Sequence, residues 1–148
     1  MTRYPNGVQG FVWTQGLPKT LPQTTHSSIA TVTGGRVLLI AVIGKVTTVI
    51  QTQANNAKLA AYPTGLSAVD LCAVLNITAA AVSTLLSITG TFADALIASA
   101  NAIMPFQAAP IVLSEGALHL DCAASSTGGV QWTFLWLPLD PTGVLAAA

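Results

Sequence analysis

Charge is the first thing this chain is short of. Its 148 residues include five Lys or Arg and five Asp or Glu, 7% in all, against roughly 25% in an ordinary soluble domain. The two signs cancel and neither is clustered, which argues against a nucleic-acid footprint, since phosphate binding needs several grouped cations. Cysteine is scarce too. Cys72 and Cys122 are too few for a disulfide framework and lack ligand spacing, so they read as small buried apolar residues, with a single disulfide as the alternative. Long apolar runs are also missing. The 23-residue uncharged stretch from Leu71 to Ala93 matches a bilayer span in length, but Asn76, Thr78, Ser83, Thr84, Ser87, Thr89, Gly90 and Thr91 interrupt it. No aromatic belt or basic cluster flanks it, so no membrane helix is expected. The Asn76-Ile77-Thr78 sequon is a chance-level match without secretion. The opening MTRYPNGVQGFVWTQG has neither the basic start nor the apolar core of a signal peptide, so synthesis in a reducing cytoplasm is expected.

What is present is apolar bulk: 52% of residues are hydrophobic and the mean hydropathy is +0.66. Thr, Ser, Gln and Asn supply part of the solubility, yet such a surface is expected to expose apolar patches that call for a partner. Zero net charge removes repulsion between copies. The chain reads as a subunit of an assembly, long enough for one domain that buries about two-thirds of its unfolded surface.

Composition changes once along the chain. Residues 1–29 hold Pro5, Pro18, Pro22, Gly7, Gly10 and Gly16 without a sustained apolar period, and read as an extended N-terminal arm. Its anchors are Phe11, Val12 and Trp13, which need a dry pocket on either their own domain or a neighbouring subunit. Residues 30–148 read as a single β-sandwich domain. β-Branched residues between Gly34-Gly35 and Gly44 predict short strands near 29–33, 36–43 and 45–53 joined by tight turns. Asn55-Asn56 and Pro63-Thr64-Gly65 offer further turns before a strand around Val69–Leu75. Ala79–Leu86 is open between a short helix and strand, with its Ser and Thr favouring strand.

The C-terminal third alternates most clearly. Leu118, Leu120 and Cys122 alternate with polar or small residues, and after SSTGG so do Val130, Trp132, Phe134 and Trp136, which predicts an antiparallel hairpin. From Phe134 onward both faces are apolar, placing the second strand centrally or against another subunit. Trp132, Phe134, Trp136 and Leu137 join Phe11 and Trp13 as candidates for core or subunit interface. The fold expected is all-β, an antiparallel sandwich or jelly roll.

Chemistry is sparse. Asp70, Asp94, Glu115, Asp121, Asp140, His26 and His119 show no pair at motif spacing. His119 and Asp121 share a strand face, but without a nucleophile or third ligand they read as a solvent-facing strand. There is no G-x-S-x-G, HExxH, P-loop or paired CxxC. No catalytic residue, metal ligand or cofactor site is assigned, and an enzyme is not expected.

Four segments then carry a likeness. TVTGGRVLLIAVIGKVTTVIQTQANNAKLAAYPT, VDLCAVLNI, SITGTFADAL and DCAASSTGGVQWTFLWLPLD resemble, in that order, small structural proteins encoded among the head genes of tailed bacteriophages, and MTRYPNGV is similar to starts seen among phage structural proteins. The likeness covers about residues 30–140. It implies a capsid decoration or cement protein: a small β-sandwich or jelly roll, dimeric or trimeric, on the outer capsid surface of the virion. The partners it implies are the major capsid protein and further copies of the chain, with no nucleic acid, membrane or catalytic residue. A head- or tail-associated host-recognition module is the alternative function.

Overall fold

A computed structural model of the chain describes residues 10–148. The described residues form β-strands and turns with no helix, arranged as two antiparallel sheets that do not close on each other. The seven-stranded sheet holds β1 (Val12–Gln15), β2 (Lys19–Thr20), β4 (Val37–Thr48), β8 (Leu85–Ser87), β9 (Ile97–Ser99), β10 (Ile111–Leu113) and β12 (Gly129–Pro138). The six-stranded sheet holds β3 (His26–Thr33), β5 (Asn56–Pro63), β6 (Val69–Asp70), β7 (Leu75–Asn76), β11 (Gly116–Cys122) and β13 (Val144–Ala147).

Alternation builds the core between them. Leu118, Leu120 and Cys122 of β11 and Val130, Trp132, Phe134 and Trp136 of β12 are all buried in one cluster with Ile29 and Val32 of β3 and Leu59 of β5, as the two-residue period of a half-buried strand requires. The Trp136 indole N–H donates to Thr14 Oγ1 at 2.9 Å, so this core indole leaves no donor unpaired. β12 is central, flanked by β1 and β4. Register shifts between Leu135 and Trp136, opposite Ala41 and Leu39. That bulge switches which β4 positions point inward, from Val37 and Leu39 to Val42, Gly44 and Val46.

Three expectations are corrected. Gly44 is no turn: β4 runs unbroken through it, and the position is glycine because a Cβ there would lie 2.7 Å from Trp132 Cζ3 and 2.9 Å from Val130 Cγ1. Glycine is the space the Trp132 ring occupies. The C-terminal strands are not a hairpin: β11 pairs β3 and β5, whereas β12 pairs β1, β2 and β4, so SSTGG carries the chain from one sheet to the other. Ala79–Leu86, where Ser and Thr favour strand over helix, is mostly turn and loop, and only Leu85 and Leu86 enter a strand, β8. Among the described residues no helix is long and apolar enough to cross a membrane. Both cysteines are free and buried, and burial pushes the Cys122 thiol up to about 11.

Residues 1–9 of the stretch read as an arm lie outside the described residues. From Val12 that stretch pairs within its own chain, β1 along Thr133–Trp136 and β2 with Gly129 and Val130. The Gly34-Gly35 turn is tied to the chain's end: Arg36 makes a two-pronged contact with Asp140, at 3.0 and 2.9 Å, and its backbone N–H donates to the same carboxylate at 2.7 Å. Those contacts, the Arg36 side chain foremost, hold the Asp140 carboxyl down to about 2. A carboxyl depressed in the folded state stabilises above its unfolded pKa and loses that contribution as pH falls through the folded value. Wild-type stability is therefore expected to lose this contribution between about pH 4 and pH 2. Asp140→Asn should flatten that limb of a pH-dependent melting series and leave the neutral-pH transition cooperative.

Candidate functional site

The two sheets turn opposite chemistries outward. Register fixes which residues of the seven-stranded sheet share its outer face. Leu137, Leu38 and Val112 form one row, and Trp13, Leu135 and Ala41 the next. Gln15, Thr133 and Ile43 follow, and then Gln131, Lys45 and Leu85. Lys45 is the one charge among these positions, and it sits at one end. Trp13 is 58% exposed and Val112 55%. Phe106, also exposed, leans on Trp13 with ring centroids 6.2 Å apart, and Phe11 stands exposed just before β1. A face this apolar leaves hydrophobic area in water that a partner surface would remove.

The outer face of the six-stranded sheet is polar. His26 lies directly opposite Asp121 across β3 and β11, and His119 sits two residues before Asp121 on the same face. On β5, Lys58 stands opposite Asp121 and Tyr62 opposite Ala117. The Tyr62 ring lies along the strands over both imidazoles, with centroids 4.1 Å from His119 and 4.7 Å from His26. Its hydroxyl then donates to Asp121 Oδ2 at 3.1 Å. Burial and that acceptor push the Tyr62 hydroxyl pKa up. His26 Nδ1 and His119 Nδ1 face each other at 2.6 Å, so one donates and the other accepts. Burial first, and His26 second, lower the His119 pKa, with Asp121 opposing them. Asp121 Oδ1 is buried with no hydrogen-bond partner. Lys58 is engaged elsewhere, with Asp70 at 2.7 Å, and Lys19 donates to the Ser28 carbonyl at 2.7 Å.

The interface candidates separate. Trp132, Phe134 and Trp136 are core; Leu137 is half-buried on the apolar outer face; Phe11 and Trp13 are exposed beside it. The other titratable groups stay apart: Asp94 accepts from Thr89 and Asp140 pairs with Arg36. An apolar cleft lined by Val69, Leu71, Phe92, Ile111, Leu113 and Leu118 carries no titratable side chain. Sequence reasoning missed Leu38, Ile43, Val112 and Phe106 on the apolar face, and His26 and Tyr62 in the polar cluster. The period-two spacing of His119 and Asp121 was visible. Their partners come from strands 57 and 93 residues away.

The chain matches no family model, no curated protein and no solved structure.

Proposed function

We propose that this chain is a structural virion protein of a tailed bacteriophage that binds the outer capsid surface and stabilises the shell as a decoration or cement protein. The observation that carries the reading is the almost uncharged outer face of the seven-stranded sheet, flanked by the exposed rings of Phe11, Trp13 and Phe106. Contact with coat protein and with copies of the chain, as a dimer or trimer, would bury it, in keeping with the charge-poor, aromatic centre of protein interfaces. The jelly-roll form belongs to the same proposal, with the exposed side chains of Phe11 and of Trp13, the latter on β1 of its own sheet, as anchors on a neighbouring subunit. The sequence likeness over residues 30–140 supports it, and no catalytic role is assigned to any residue.

A host-recognition module is the second reading, favoured by the partly exposed aromatic and polar cluster of Tyr62, His26 and His119 on the opposite face. Heating virions that carry or lack the protein separates the two. A ligand that bridges capsomers adds its binding free energy to the intact shell alone and raises the temperature of disruption. Particles without the protein are expected to break at lower temperature and still adsorb to host cells. Equal disruption temperatures with lost adsorption would replace cementing by recognition.

A further inference from the structure

We propose that His26, His119 and Asp121 bind a divalent first-row transition-metal ion, Zn²⁺ or Cu²⁺ in kind, on the outer face of the six-stranded sheet. This inference does not rest on the virion reading. The donor atoms of these three residues all lie within 4.8 Å of one another. Backbone pairing sets their Cα positions, with His26 opposite Asp121 and His119 two residues along on the same face.

Three observations favour a cation there over a merely solvated patch. The imidazoles present the same ring nitrogen to each other at 2.6 Å, so both Nδ1 atoms converge on one point, where a single proton fits between them and a cation could take its place. The Asp121 carboxylate points an unpartnered, buried oxygen at its surroundings, a costly arrangement unless something positive satisfies it. Tyr62 holds the other Asp121 oxygen by its hydroxyl, the outer-shell contact by which metal sites orient a carboxylate. Lys58, across the strands from Asp121, attracts it electrostatically, but its ammonium donates to Asp70 and leaves Asp121 Oδ1 without a hydrogen bond.

The donor set selects the metal. Two imidazoles and one carboxylate suit Zn²⁺, Cu²⁺ or Ni²⁺, whereas Mg²⁺ and Ca²⁺ prefer oxygen ligands throughout. Nitrogens bound at about 2.0–2.1 Å in tetrahedral geometry stand roughly 3.3 Å apart, so the imidazoles must open by about 0.7 Å. His26 is the exposed partner, and its ring lies farther from Tyr62, at 4.7 Å, than that of His119, at 4.1 Å, so His26 is the ring that must shift. His119 stays under the Tyr62 ring. Three protein ligands leave one coordination position to water or to a donor from another molecule.

Titrating the full chain, free of tags, with ZnCl₂, CuCl₂ and MgCl₂ by calorimetry at pH 7.5 tests this. One equivalent of Zn²⁺ and of Cu²⁺ per chain is expected, Cu²⁺ the tighter, with no heat from Mg²⁺. His26→Ala and His119→Ala should each weaken Zn²⁺ binding at least tenfold, and Tyr62→Phe by about 10–100-fold through the freed carboxylate. His26 is exposed, so His26→Ala is expected to keep the wild-type circular dichroism spectrum and melting curve without metal. Proton–nitrogen spectra of the two imidazoles give a readout independent of affinity, their Nδ1 signals shifting with added Zn²⁺. Absence of Zn²⁺ binding, or stoichiometric binding unchanged in both histidine variants, would overturn the proposal whatever the protein does on a virion.

Discussion

Gly44→Ala is expected to destabilise the protein by at least about 2 kcal/mol, the cost of forcing extra volume into a packed core. In an unobstructed strand the same change stabilises by roughly 0.5–1 kcal/mol, because alanine surrenders less backbone entropy. The sign reverses here because the new methyl would meet Trp132 Cζ3 at 2.7 Å, Trp132 Cη2 at 2.9 Å and Val130 Cγ1 at 2.9 Å. Neither neighbour has room to yield. Trp132 and Val130 are buried in the core cluster, and β12 is held on both flanks by β1 and β4. For a chain near 150 residues this corresponds to a fall in melting temperature of about 4–8 °C, and Gly44→Val should cost more. Thermal unfolding followed by far-UV circular dichroism reads it. An alanine variant as stable as wild type would mean that Trp132 does not cover Gly44.

Gly44 also shows where sequence reasoning stops. Glycine between β-branched runs is ordinarily a turn, and only the placement of Trp132, 88 residues along and opposite it in register, turns it into a packing site. The alternation of Leu118 to Cys122 and of Val130 to Trp136 was legible because half-burial imposes it directly. The partner of each strand was not. Period two says which side chains point inward but not which backbone lies beside them, and here consecutive long strands β3, β4 and β5, then β11, β12 and β13, switch sheets each time. For the same reason His119 and Asp121 looked like an incomplete pair. Their third member, His26, comes from β3, and the pairing of β3 with β11 is fixed by core residues such as Ile29, Ala30 and Leu118. The apolar outer face was half visible. Leu38, Ile40 and Ile43 interleave with inward residues in LLIAVIG, and the chain's shortage of charge foretold such a face without locating it.

The second large effect concerns that face. Val112→Glu and Trp13→Glu put carboxylates on exposed positions of the apolar rows, where each faces water in the free chain and costs the fold little. Buried against a partner, an unpaired carboxylate costs several kcal/mol. Self-association of the double variant is therefore expected to weaken by at least about 100-fold, since each tenfold is about 1.4 kcal/mol. Its melting temperature should stay within a few degrees of wild type. Sedimentation velocity across a micromolar concentration series reads both species. A double variant that associates as wild type does would move the subunit interface off this sheet.

Co-sedimentation of the purified protein with virions stripped of it tests docking through this face most directly. Wild-type protein and His26→Ala should both pellet with the particles at the same fixed ratio to coat protein, while the Val112→Glu, Trp13→Glu double variant stays in the supernatant. Rebinding of the double variant at the wild-type ratio, or loss of rebinding in His26→Ala alone, would contradict the assignment of the apolar sheet face as the surface that grips the shell.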